Sequence, residues 1–188
     1  AVYKDGIYRV TESSQIKPKS IYGKTKVKAE KLIKTNCKKL KINYAILRYF
    51  NIAGASPSGK IGLLNKSDNL FKNYSNEIIK KNPVLKIYGT DYKTKDGSCI
   101  RDFIHVSDIA DIHSKILYKI DKLNVSKILN CGYDKGVSVL EVAREFKRQS
   151  SKNVTILKAN RRKKDIVKII ASNSKLKNFI TWTPKFNS

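Results

Sequence analysis

Glycine is scarce in this sequence, nine in 188 residues, and no group of them is spaced to make the strand–turn–helix that cradles a dinucleotide pyrophosphate. Methionine is absent, tryptophan occurs once and proline four times. There is no 18-residue apolar run, and the opening AVYKDGIYRV lacks the basic-then-apolar order of a signal peptide. Neither a membrane span nor a leader is therefore expected, and a cytoplasmic protein fits best. The three cysteines, Cys37, Cys99 and Cys131, are odd in number, far apart and without CxxC spacing, which speaks against a disulfide framework and a zinc site. They read as reduced, mostly buried thiols.

Acidic residues are also few, 15 against 40 Lys and Arg, for a net charge of +25. A basic face could collect phosphates by counterion release. The excess is almost all Lys, however, 33 against 7 Arg, and it accompanies 15 Asn, 23 Ile and only 9 Ala, the profile of an AT-rich coding sequence. The basic residues are scattered and no aromatic-plus-basic ribonucleoprotein motif occurs. Solvated lysine is the expectation, with no nucleic-acid partner and no membrane partner.

What is present is 40% hydrophobic residues, enough for one good-sized core or two small ones. The pattern from Tyr22 to Lys41 predicts a helix, and YAILRYF (44–50) a strand. NIAGASPSGKIG then predicts a loop at the strand's C-terminal end, where open α/β sheets hold ligands. NLFKNYSNEIIKK reads as a helix, VLKIYG as a strand and TDYKTKDGSC as a loop. IRDFIHV reads as extended chain, SDIADIHSKILYKI as a helix beginning at Ser107, and KILNCG as a strand. SVLEVAREFKRQS predicts a helix, NVTILKA a strand, and the tail a short helix stopped before Pro184. Such alternation predicts a parallel-type α/β sheet. His105 and His113 have no carboxylate or thiol at metal spacing and are expected to be structural.

In SIYGKTKVKAEKLI, Tyr22 precedes Lys26 by four residues, one helical turn on the same face, where an ammonium favours an ionised phenol. The spacing alone carries nothing, because about two such pairs are expected by chance in so Lys-rich a chain. Tyr118 and Lys122 form the second.

With YGKTK, LRYFNIAGASPSGKIG, DNLF, DYKTKDGSCIRDFIHVSDIAD and RRKKD in this order, the chain resembles the UDP-glucose 4-epimerases, extended short-chain dehydrogenases/reductases. The match runs through essentially all 188 residues. The resemblance implies the C-terminal part of a Rossmann-type α/β fold with a small substrate-binding subdomain. Residues 1–188 would be a partial NAD(P)-binding Rossmann-like epimerase domain. Within it, 1–56 would be the end of the NAD-binding sheet with the catalytic helix, and 57–188 mainly a UDP-sugar-binding subdomain, with segments around 100–132 returning to the sheet. It further implies interconversion of UDP-glucose and UDP-galactose by transient oxidation at C4 with NAD, and a homodimer when complete.

The same resemblance implies site roles. Tyr22 takes the 4-hydroxyl proton, and Lys26 binds the nicotinamide ribose and lowers the phenol pKa. Phe50 lies beside the nicotinamide and Asn51 touches the substrate. Asn69 and Leu70 contact the UDP diphosphate, while Lys86, Ile87 and Tyr88 border the uracil. Arg101 and Arg162 hold the diphosphate, and Asp165 the ribose hydroxyls. Ile169 stands where relatives carry Tyr or a small residue, and is expected to loosen the choice of sugar.

Two further departures accompany that at Ile169. Lys164 replaces the Gly usual before the Asp of the arginine motif. The Gly-rich half and the Ser or Thr expected two residues before Ala1 are not in the sequence, so the chain reads as part of something longer, inactive and unable to hold NAD alone. A UDP-N-acetylhexosamine or UDP-pentose epimerase, a non-catalytic sugar-nucleotide-binding partner and a basic nucleic-acid binder are the alternatives.

Overall fold

The computed structural model describes residues 1–64, 69–162 and 165–186. The expectation attached to Lys164 falls outside them. In chain order the elements are β1 (Arg9–Val10), α1 (Ile21–Leu40), β2 (Ala45–Tyr49), β3 (Asn51–Ala53), α2 (Leu70–Ile78), β4 (Val84–Tyr88), β5 (Ile100–Arg101), β6 (Phe103–His105), α3 (Val106–Leu123), β7 (Lys127–Cys131), β8 (Val137–Ser138), α4 (Val139–Gln149), β9 (Thr155–Ala159), β10 (Lys168–Ala171) and α5 (Ser174–Phe179). Strand β2 pairs β7, β3 pairs β6, β4 pairs β9, and β10 lies between β1 and β5, all parallel. Only β5 with β8 is antiparallel among the named strands. Within 100–132, then, β6 and β7 return to the strands that follow α1.

Three details differ from the expectation. NIAGASPSGKIG is not loop from its first residue, because Asn51–Ala53 pairs with Phe103–His105. The cap of α3 is His105 rather than Ser107, with Nδ1 accepting from the Ser107 N–H at 3.2 Å. Strands β1, β8 and β10 have two, two and four residues, too short to show a period, and they exist through their partners.

Each long helix has a local cause. Ser20 caps α1 by accepting from the Gly23 N–H at 3.0 Å, and Gly23 lets the first turn press against Ala1 and Pro18, whose Cβ would stand 2.8 Å from a Gly23 Cβ. Helix α3 buries Ile109, Ile112, Ile116 and Ile120, a stripe at spacings of three and four, against Leu129, Cys131, Leu176 and Trp182. Each such side chain contributes roughly 1.5–3 kcal/mol when fully buried. A capping box closes α4, Ser138 Oγ accepting from the Glu141 N–H at 2.9 Å and Glu141 from the Ser138 N–H at 2.7 Å. Its Val142 and Ala143 join Tyr74, Leu85, Ile87 and Val154 in a second core.

Two buried polar centres join these parts. Arg48 on β2 reaches Glu30 on α1 through two bonds of 2.8 and 2.7 Å and the Tyr3 hydroxyl at 2.9 Å. Burial alone would lower the Arg48 pKa, but the bonds to Glu30 and Tyr3 outweigh it and raise it. The other centre is Asp102, between β5 and β6. It accepts the N–H groups of Tyr133, Asp134 and Ala171 at 2.8, 3.0 and 3.0 Å. Gly132 leaves room for it, since a Cβ there would meet the Asp102 carboxylate at 2.7 Å.

Burial pushes the Asp102 pKa up to about 6, against the pull of those three N–H groups. The folded chain therefore binds this proton more tightly than the unfolded one. The associated stability is full below the unfolded carboxyl pKa, about 4, and is lost as pH rises through about 6, by roughly 3 kcal/mol. The advantage of the parent over Asp102→Asn should accordingly be larger at pH 4.5 than at pH 7.5. Paired urea titrations at the two pH values measure it, and a constant difference would contradict it.

Candidate functional site

A cleft of about 1170 Å³ opens between the end of β2, helix α2, strand β4 and strand β5. Nine of the thirteen residues proposed from the sequence line it: Phe50, Asn51, Asn69, Leu70, Lys86, Tyr88, Arg101, Arg162 and Asp165. They come from five separate stretches of chain, and the strand pairing brings them together.

The cationic side is built around Arg101. Its side chain is only 14% exposed, one N–H donates to the Ile100 carbonyl at 3.0 Å, and the guanidinium lies 4.0 Å from Asp165. Arg162 lays its guanidinium over the Tyr88 ring, 4.2 Å from the centroid, and the Asp165 N–H donates to the Arg162 carbonyl at 3.3 Å. The first turn of α2 also faces this space. Asn69 caps it, Oδ1 accepting from the Lys72 N–H at 3.1 Å, while Nδ2 donates to the Ile52 carbonyl at 3.1 Å. A helix start leaves its first N–H groups without intrahelical acceptors and carries partial positive charge. Lys80, Lys86, Arg101 and Arg162 stand against Glu77 and Asp165 in the lining, an excess of cations suited to a ligand with two or more negative charges.

Four proposed residues lie elsewhere. Ile87 is 1% exposed in the core beneath β4, so of the strand 86–88 only Lys86 and Tyr88 present side chains to the cleft. Ile169 is 8% exposed and packs with Val2, Tyr3 and Val10. Tyr22 and Lys26 stand on the outer face of α1, Tyr22 62% exposed, with the Lys26 ammonium over its ring at 5.1 Å. Val27, the residue after Lys26, shares an apolar cluster with Phe50, and Phe50 is the point at which that cluster meets the cleft.

Other lining residues were missed, and two patterns would have found them. Cys99, Arg101 and Phe103 all line the cleft with Asp102 buried on the opposite side, the period of two of extended chain. Along α2 and its flanks, the cap Asn69, then Asn73, Asn76 and Glu77, and Lys80 just past the end all line the cleft at helical spacing. Phe71, Tyr74, Phe103 and Val139 give the cleft an apolar floor. Burial pushes the Cys99 thiol pKa up, so it is no ready nucleophile. His105 and His113 are both engaged structurally: His105 caps α3, and His113 bonds the Ile109 carbonyl at 2.8 Å and the Tyr49 hydroxyl at 2.6 Å. Among the described residues there is no cluster of potential metal ligands, and no helix is long and apolar enough to cross a membrane.

A profile of the NAD dependent epimerase/dehydratase family matches residues 2–132. The UDP-glucose 4-epimerase of Azospirillum brasilense is 36% identical over 177 residues, covering 94% of this chain and 51% of that protein. UDP-glucose 4-epimerase 2 of Arabidopsis thaliana is 38% identical over 179 residues, covering 93% and 51%. Among solved structures, the Stenotrophomonas maltophila UDP-glucose-4-epimerase with bound NAD and formylated UDP-arabinopyranose superposes with a TM-score of 0.89 at 31% identity, covering 95% of this chain and 54% of that one. The Brucella ovis UDP-glucose 4-epimerase in complex with NAD gives 0.91 at 26% identity, covering 100% and 58%. The chain thus spans about half the length of the curated relatives it matches.

Proposed function

The chain belongs to the NAD-dependent epimerase/dehydratase family, and from that premise we propose that its cleft binds a uridine diphosphate sugar, as part of an NAD-dependent 4-epimerase interconverting UDP-glucose and UDP-galactose. The single observation carrying this reading is the convergence of Arg101, Arg162, Asp165 and the first turn of α2 on one cleft. Two guanidiniums and a helix start suit a diphosphate, since forked donors match its paired oxygens. In this reading Asp165 accepts from the ribose hydroxyls, and Lys86 and Tyr88 border the base.

The chain would contribute the nicotinamide end of the cofactor site. Tyr22 and Lys26, side by side and exposed on α1, suit a ring and ribose approaching that helix, and Phe50 would lie beside the nicotinamide. NAD, when bound, supplies reversible hydride acceptance at C4 of the sugar. Tyr22 takes the proton from the 4-hydroxyl and returns it, and Lys26 stabilises the phenolate. Asn51 contacts the hexose.

The test is to extend the chain at its N-terminus with the glycine-rich half of one of its relatives and follow UDP-galactose conversion to UDP-glucose. Absence of turnover in a folded chimera that holds NAD would oppose the reading. In the same protein, Arg101→Lys should weaken UDP-glucose binding by about 1–3 kcal/mol, because a point charge replaces a fork. Calorimetry measures this, and an unchanged Kd would remove Arg101 from the diphosphate site.

A further inference from the structure

Helix α2 forms one wall of the cleft, yet it is nine residues long, too short to persist in water on its own hydrogen bonds. Its C-terminal end is poorly made. The last turn contains no basic residue, and Glu77 lies there, at the negative end of the helix dipole, its carboxylate met by Lys80 just beyond the helix at 2.6 Å. What completes that end comes from elsewhere. Lys152, in the connection between α4 and β9, directs its ammonium at three successive carbonyls, those of Ile78, Ile79 and Lys80, at 2.9, 2.8 and 2.8 Å. An ammonium has three hydrogens, and each has an acceptor here. The connection is itself held, the Lys152 N–H donating to Ser150 Oγ at 3.1 Å.

The other contacts of α2 divide the work differently. Phe71 and Tyr74 pack on Phe146 of α4, with ring centroids 5.8 and 5.5 Å apart, which sets the helix's distance from α4 but tolerates sliding along its axis. The Tyr74 hydroxyl donates to the Lys86 carbonyl at 3.0 Å, and Asn69 donates to the Ile52 carbonyl at 3.1 Å. Of these three polar anchors Lys152 is the charged one, and it reaches the C-terminal carbonyls; Lys80, just past the helix, directs its own ammonium at the Glu77 carboxylate at 2.6 Å instead.

We propose that Lys152 is a positioning residue of the nucleotide cleft: by supplying the cation that α2's own last turn lacks, it fixes the axial position of the helix whose first turn faces the ligand's diphosphate. The proposal rests on the uridine diphosphate sugar reading for its ligand, but the hold on α2 does not. Without Lys152, α2 spends more time frayed or displaced, and the observed affinity falls by the fraction of chains in which the helix is in place.

The test uses the 188-residue chain, with UDP-glucose titrated by calorimetry and amide exchange followed by mass spectrometry. Lys152→Met should raise Kd about three- to tenfold and speed exchange across 70–80 while leaving β7 unchanged. Lys152→Arg, which keeps charge and donors, should stay within about twofold of the parent. Lys147→Met, an exposed α4 lysine outside the cleft, serves as the charge-matched control and should change neither. Unaltered Kd and unaltered exchange in Lys152→Met would overturn the proposal. So would a loss of binding that follows a fall in Tm and is not recovered by Arg, because Lys152 would then be serving global stability alone. If the parent chain does not bind UDP-glucose, the reading of the cleft fails, and exchange across α2 still decides whether Lys152 holds the helix.

Discussion

In the chain extended by a relative's glycine-rich half, Tyr22→Phe is expected to lower kcat by about 10²–10⁴ while changing UDP-glucose affinity less than twofold. The substitution removes one oxygen from a residue that is 62% exposed, so it deletes a proton acceptor and almost no packing. The diphosphate contacts assigned to Arg101, Arg162 and α2 are untouched, and the loss belongs in kcat. Tyr118→Phe is the internal control, for Tyr118 precedes Lys122 by the same four residues and is 70% exposed on α3, but it has no place in the cleft. Comparable losses from the two substitutions would show that the spacing had been mistaken for a site.

Arg48→Met is expected to destabilise the chain by about 3–5 kcal/mol, the cost of leaving a buried partner charge uncompensated. Glu30 and Arg48 have side chains 10% and 6% exposed, so water cannot take over the lost bonds. Tyr3 would keep only its bond to Asn130. The double substitution Glu30→Leu/Arg48→Met should recover most of the loss, since the desolvated charges leave together. Urea unfolding of the single and double variants decides it, and a double variant as weak as the single one would mean that the pair is not what holds α1 to β2. The consequence is functional as well as structural: this network sets the Tyr22 helix against the strand that ends at Tyr49, next to Phe50.

The sequence was most informative where a periodic segment and a loop met. The helical stripe of α3, the apolar alternation of β4 and the helix after Asn69 were all legible, because side-chain period reports a buried face directly. Strands β1, β8 and β10 were not, because two to four residues carry no period and their pairing is set by distant chain. Ile169 illustrates the difference. The resemblance marks it as a position that varies with the sugar, and the parallel register of β10 between β1 and β5, which no local pattern reveals, puts its side chain among Val2, Tyr3 and Val10. The cleft residues carried by Arg101, Asn69 and Tyr88 were named from motif resemblance. Their neighbours Cys99, Phe103 and Glu77 needed only the strand and helix periods, applied outward from those motifs. His105 could not have been distinguished as a helix cap by composition, since His is an uncommon choice for that position.

Hydrogen exchange of the 188-residue chain with and without saturating UDP-glucose tests most directly whether this cleft is the nucleotide-sugar site. Slowed exchange is predicted in the first turn of α2 (69–72), in β4 and the turn after it (86–89), and in 99–103, with no change across the outer part of α3 (114–123). Protection confined to other segments, or none at ligand concentrations that saturate the chimera, would contradict the assignment.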